Sequence, residues 1–306
     1  MADRTARPAD PSTVKRRLGR TGVWLASFSS VPAETVRRAA AEIEGLGYEA
    51  LWFGETPTSR DALTQAALLL SATQRLQIAT GIANIYARDA VSAANGAKTL
   101  TEAWGDRFVL GLGVSHAPLV TTRGHDYSQP VATMRAYLDA MDATSFGLPS
   151  VPEPPRVLAA LRRKMLELAA TRAQGAHPYF TTPEHTAMAR EVLGPDPVLA
   201  PEQAVVVTTD VDHGRPIARK YAAVYLAMPN YLNNLRELGF SDRDFEGGGS
   251  DALIDAVIPS GDPETIGEHV RAHHQAGADH VCVQPIAGTL AEQLEHLRLL
   301  APVITG

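Results

Sequence analysis

The run RFVLGLGVSHAPL, Arg107 to Leu119, holds the clearest strand in the chain. Phe108 to Leu112 is almost wholly apolar, as a strand buried on both faces of a parallel sheet must be. It then runs into Gly111, Gly113 and Ser115, and on to His116 and Pro118. Glycine at a strand end lets another molecule approach the backbone closely. WFGET at 52–56, IATGIAN at 78–84 and GAHPYF at 175–180 repeat this pattern. All four place unusual residues at a C-terminal strand end, where open α/β sheets and β/α barrels keep their sites.

Outward from this strand the chain alternates strand and helix. Strands are expected at 22–28, 50–55, 76–82, 108–114, 156–161, 175–180, 204–209 and 280–285. Helices fall between them: Ser30 is read as an N-cap to one, Asp61 opens a second, and Asp89 caps a third that runs to Trp104. A proline-rich crossover at 144–155 is too stiff to be helical. The interval Asp210 to His280 carries a long helix at 214–239, whose Tyr221, Tyr225, Met228 and Tyr231 suggest a subunit interface. Eight strand-helix units predict a TIM-type (β/α)8 barrel with an extended helical insertion between strands seven and eight. A doubly wound sheet is the second choice.

Composition agrees with one barrel domain at 21–306, preceded by a loose Arg-rich arm at 1–20. The net charge of −6 gives no general attraction to nucleic acid or to an anionic membrane. A single cysteine, Cys282, excludes an internal disulfide and suits a reducing compartment. No apolar run approaches the ~20 residues that span a bilayer, so a cytoplasmic protein is expected. The histidines offer no metal site. His269 and His273 are spaced as a helical pair but lack an HExxH frame, and they read as a solvated outer face. GLGVSH lacks the GxGxxG spacing of a dinucleotide turn, and no GxSxG marks a hydrolase elbow.

GVWLASF, GYEALWFGE, ATGIAN, DRFVLGLGVSHAPL and GDPETIGEHVRAHHQAGADHVCVQP occur in this order from Gly22 onward. Together they resemble the luciferase-like monooxygenase superfamily, and within it the oxidoreductases that use the deazaflavin coenzyme F420. The resemblance implies a barrel that holds a flavin or deazaflavin at its strand ends, acts on a small organic substrate and forms a homodimer. It also implies a non-prolyl cis peptide behind the ring, matched here by Gly81–Ile82.

Carried over by position, Glu55 and His116 are the candidate catalytic groups. Glu55 matches the acidic residue that ends strand two, and His116 stands where relatives carry a glutamate for proton handling. An imidazole near its ordinary pKa of ~6.5 serves as acid or base. Thr56 stands where the family often has histidine. Candidate cofactor contacts are Gly81, Ile82, Gly113, Ser115, Gly175, Ala176 and His177. Arg162 and Arg163 replace small residues at a helix start, where backbone N–H groups bind phosphate. They either add to that anion site or crowd it.

Simpler roles exist for these residues. Glu55 could cap a neighbouring loop, His116 and His177 could only hold backbone, and the glycines could only permit tight packing. Tyr86, Tyr179 and Trp52 are candidates for the substrate side. F420-dependent hydride transfer is the first reading. An FMN-dependent monooxygenase and a non-catalytic binding barrel are the alternatives, the last favoured by Thr56 and by the Arg162/Arg163 pair.

Overall fold

A computed structural model describes residues 10–148 and 151–305. Its strands are β1 (Thr21–Trp24), β2 (Ala50–Phe53), β3 (Gln77–Thr80), β4 (Ala83–Asn84), β5 (Phe108–Gly113) and β6 (Arg156–Leu158). They continue as β7 (Gly175–Ala176), β8 (Val198–Leu199), β9 (Glu202–Val207), β10 (Ser260–Gly261) and β11 (Val281–Pro285). Every pairing is parallel, in the order β10, β9, β11, β1, β2, β3, β5, β6, β7, β8, with β4 also on β5.

The ends of this order meet within one segment. Ala200 N–H donates to Ala176 O on the β7 side at 2.9 Å, and Cys282 N–H donates to Pro201 O on the β11 side at 2.9 Å. Residues 198–207 are therefore a single barrel strand that changes neighbours at Pro201. That residue has no N–H to leave unpaired at the switch. With β4 extending β3 and β10 flanking β9, the result is an eight-membered parallel ring with helices between strands.

Packing follows strand alternation. Ala50, Trp52, Val109, Val157, Val198, Ala200 and Cys282 cluster inside the ring. The opposite strand faces join Val36, Ile43, Leu69, Leu100, Leu166 and Leu297 of the surrounding helices in the main core. Glycine is obligatory where strands crowd. A Cβ on Gly111 would lie 1.8 Å from Thr80 O, and one on Gly175 would lie 2.1 Å from Val198 O.

Four expectations change. The arm is not loose from Asp10 onward: Pro11–Leu18 is a helix, capped by the Asp10 side chain, with Val14 and Leu18 buried in the interior cluster. Arg17 pairs with Asp106, just before β5, so this helix plugs the N-terminal end of the barrel. Residues 1–9 lie outside the described residues, as do 149–150 of the proline-rich crossover. The helix at 33–45 takes Pro32 rather than Ser30 as its N-cap. The 214–239 helix is two, Val211–Leu226 and Pro229–Glu237, because Pro229 opens a new helix. Tyr221, Tyr225, Met228, Tyr231 and Leu235 pack among themselves and against Phe180. His273 is fully buried rather than solvated, with Nε2–H donating to Gln203 Oε1 at 2.7 Å and Nδ1 accepting from Thr186 Oγ1 at 2.8 Å.

Leu18 is completely buried in the plug. Leu18→Ala is expected to cost about 3 kcal/mol of stability, the usual range for a core leucine truncation, read as a lowered urea midpoint.

Candidate active site

The C-terminal ends of β5, β6 and β7 open into a cavity of about 490 Å³. Val114, Ser115 and His116 form one side, Ala159 to Met165 the floor and a second side, and His177 and Tyr179 the third. The helix Pro229–Glu237 contributes Asn230, Tyr231 and Glu237. The walls are mostly apolar, with a few polar atoms converging on the interior, the usual character of a small-molecule site.

His177 is 1% exposed and stacks on Trp52 with ring centroids 4.5 Å apart. Its Nδ1 lies 2.6 Å from Ala200 O. A carbonyl only accepts, so Nδ1 carries the proton and Nε2 is left as an acceptor. That Nε2 is buried and has no partner. Burial lowers the His177 pKa to about 4, against the opposing Ala200 bond, so the ring is neutral at pH 7.

His116 caps the short helix Ala117–Thr121 without a side-chain cap bond. Its ring lies 5.5 Å from the Tyr231 ring and beside Asn230 in the cavity lining, while Nδ1 is buried and unpartnered. Burial lowers its pKa too. Ser115, just before it, has φ 58°, a left-handed conformation uncommon outside glycine, and its carbonyl accepts from Tyr127 Oη at 3.1 Å. Both histidines line one cavity, and each has one buried imidazole nitrogen without a partner.

At the β6 end, Ala159–Arg162 is loop rather than strand, and Arg163–Arg172 is a helix whose first residues line the cavity. Arg162 is the N-cap and makes no side-chain cap bond. Its guanidinium pairs with Glu237, Nε to Oε1 at 2.9 Å. Arg163 is exposed and only 4.0 Å from Glu167, and Lys164 has no ion pair among the described residues. The helix start is therefore cationic, with one arginine already neutralised.

The other expected site residues serve the wall or lie elsewhere. The Gly81–Ile82 peptide is cis. A Cβ on Gly81 would lie 2.5 Å from Trp24 Nε1 and 2.9 Å from His177 Nε2, so only glycine fits beneath these rings. A Cβ on Gly113 would lie 2.4 Å from Ile82 Cγ1, so Ile82 fills the space over Gly113 behind Ala159. Gly175 and Ala176 are buried in β7 between its two neighbours.

Glu55 is the main departure, because it does not line the cavity. It forms a two-pronged pair with Arg88 and accepts from Asn84 N–H at 2.8 Å and Ala62 N–H at 3.1 Å. Its acceptor capacity is spent tying the β2 end to the β4 loop and to a helix start. This is the loop-capping role. Thr56 stays exposed in a turn closed by Ser59. Of the substrate-side candidates only Tyr179 lines the cavity. Trp52 is fully buried, donating from Nε1 to His280 Nε2 at 3.1 Å, and Tyr86 lies outside.

Sequence reasoning did not identify Tyr127, Lys164, Asn230, Tyr231 or Glu237. Pro229 was the available signal for the last three, since it starts the helix that leans over the cavity. It also missed Glu202, an interior carboxyl 1% exposed whose Oε2 accepts from Phe180 N–H at 3.1 Å and whose Oε1 has no partner. Burial raises its pKa to about 8.

Two outcomes follow from this geometry. The side chains of Arg88 and Glu55 are 10% and 4% exposed, so Glu55→Gln, which removes one of the two carboxylates on the guanidinium and leaves Asp61 at 2.6 Å, is expected to cost about 2 kcal/mol in urea melts. The second concerns pH. Burial lowers His177 to about 4 and His273 and His280 to about 3, from an ordinary 6.5. Their stabilisation is full above pH 6.5 and is lost as pH falls toward those values, by up to about 1.4 kcal/mol per unit for each histidine. Glu202, raised from 4.5 to about 8, works oppositely: its contribution is full below 4.5 and is lost as pH rises through 8. Urea midpoints are expected to peak near pH 6.5, the ordinary histidine value, and Glu202→Gln to flatten the alkaline decline.

Known proteins place this geometry in context. Residues 17–194 match the luciferase-like monooxygenase family. A protein of Mycobacterium tuberculosis named as a coenzyme F420-dependent oxidoreductase is 32% identical over 119 residues, 39% of this chain and 34% of that one. The chain spans about a third of the length of the curated relatives it matches. In fold it is similar to an F420-dependent secondary alcohol dehydrogenase, with a TM-score of 0.75 at 15% identity over 94% of this chain and 99% of the other. It is also similar to an FMN-bound type II Baeyer–Villiger monooxygenase from Pseudomonas putida, with a TM-score of 0.72 at 13% identity over 94% and 98%. The family match covers more than half of the chain and ends at the helix after β7, so it takes in all three strand ends that form the cavity: this protein belongs to the luciferase-like monooxygenase family.

Proposed function

We propose that the protein is an oxidoreductase that binds coenzyme F420 in the 490 Å³ cavity and exchanges hydride with a small organic substrate. The carrying observation is that His177 and His116, each with one buried nitrogen that has no partner, line one apolar-walled cavity that ends at a cationic helix start. Buried polar atoms without partners are uncommon, and a ligand is one of the things that satisfies them.

The residues fit such a cofactor. Arg163, Lys164 and the open N–H groups at the start of helix Arg163–Arg172 would hold its phosphate, since a helix N-terminus favours anions. Val114, Ala159 and Met165 would offer apolar contact to a flat ring, and His177 Nε2 would be available as a hydrogen-bond acceptor. When bound, the deazaflavin supplies the hydride chemistry, and the protein supplies position and exclusion of water. His116, neutral and unpartnered at Nδ1, holds or takes the proton that accompanies the transfer. Asn230 lies beside His116 in the cavity lining. Glu55 has no part in this step, because its oxygens are committed to Arg88 and to backbone. The same barrel in an FMN-bound monooxygenase supports FMN as the second reading.

Calorimetric titration of the purified protein with oxidised F420 and, separately, with FMN tests this. Micromolar one-to-one binding of F420, weakened about tenfold by Arg163→Gln and further by Lys164→Gln, is expected, consistent with about 1.4 kcal/mol per charge-assisted contact. Saturation by FMN alone would favour the second reading, and no binding of either at tens of micromolar would contradict both.

A further inference from the structure

A second cavity, about 660 Å³, opens over the C-terminal ends of β9 and β11. Val206, Ile217, Val224 and Ile286 give it apolar walls, and Thr208, His213, Lys220, Tyr221, Glu292 and His296 are its polar lining. Val224, on the open side of this lining, is 55% exposed.

The lysines single out this cavity. The chain has only four. Lys15 pairs with Asp279 at 3.1 Å and Lys98 with Glu153 at 2.7 Å. Lys164 and Lys220 have no ion pair among the described residues, and each lines one of the two cavities. Beside Lys220, His296 presents a buried Nδ1 with no partner. A carboxylate, Glu292, also lines this cavity; its Oε2 accepts from Thr289 N–H at 2.8 Å in a capping box, which holds it against the positive end of its own helix.

We propose that the second cavity binds a small organic acid. Its apolar body lies against Val206, Ile217, Val224 and Ile286, and its carboxylate takes Lys220 with His296 Nδ1–H as the second donor. Apolar walls with a few convergent polar groups give such a site its affinity and its orientation. Tyr221 lines this cavity and its hydroxyl bonds that of Tyr179, which lines the first, so the two cavities share a wall of tyrosine side chains. Gln284 Oε1 holds that wall, 2.8 Å from the Tyr179 hydroxyl and 3.2 Å from that of Tyr221, accepting from whichever of the two does not donate to the other. The acid therefore sits beside the first cavity without entering it.

The test is displacement of the fluorescent apolar sulfonate 8-anilinonaphthalene-1-sulfonate from the full chain by octanoate and, in parallel, by 1-octanol. Octanoate is expected to displace the probe at least tenfold more effectively than the alcohol. Lys220→Gln should abolish that preference, and Lys164→Gln should leave it intact. Lys220 is exposed, so its replacement is compatible with folding, and a retained urea midpoint confirms it. Equal displacement by acid and alcohol, loss of the preference in Lys164→Gln rather than Lys220→Gln, or no displacement at all overturns the proposal. No cofactor enters the assay, so its outcome is separate from whether F420 binds.

Discussion

The hydrogen bond from His177 Nδ1 to Ala200 O, at 2.6 Å, joins the architecture to the chemistry. It crosses the seam between β7 and β8, which are only two residues each and need support beyond their ladder. Because the carbonyl accepts, it also fixes which imidazole nitrogen is left free. On the other face of the ring, Trp52 stacks and donates to His280 Nε2, and His280 Nδ1–H in turn donates to Gly19 O at 3.1 Å, directly after the plug helix. The polar groups inside the barrel thus interlock from the cavity floor to the plugged end while remaining uncharged. Neutral interiors avoid the desolvation cost that buried ions carry.

Glu55 shows the opposite use of polarity. At the mouth of β2 a carboxylate is charged and fully engaged, and the loops after β2 and β4 depend on it for their positions. Free valence lies at the β5 and β7 ends, where two histidines, each with one buried nitrogen that has no partner, line one space. Pro229–Glu237 completes that space, and the Arg162–Glu237 pair ties the added helix to the β6 loop.

Much of this was legible in the residues. The apolar run of β5 and the glycine-marked ends of β2, β3 and β7 announce buried parallel strands and a functional face. Gly81 and Gly113 stand out as glycines for close approach, and the structure shows Trp24, His177 and Ile82 filling the space where their side chains would be. Ser115, His116, Arg162, Arg163 and His177 do meet on one cavity. The partner of each polar group was not legible, because partners come from distant chain: Arg88 for Glu55, Ala200 for His177, Glu237 for Arg162. The plug helix was obscured by its arginines, whose charge hides the Val14 and Leu18 pair that helical spacing places on one face. β8 was hidden by its length of two residues, and Glu202 by burial that sequence alone does not reveal.

The most direct test of this account is the protonation state of His177, read by long-range ¹H–¹⁵N correlation on labelled protein with assignment by His177→Gln. The account predicts a neutral ring at pH 7 with the proton on Nδ1, a bare Nε2 that stays unprotonated until the pH nears 4, and an Nε2 shift that moves when F420 is added. A proton on Nε2 at pH 7, or titration at an ordinary ~6.5, would contradict it.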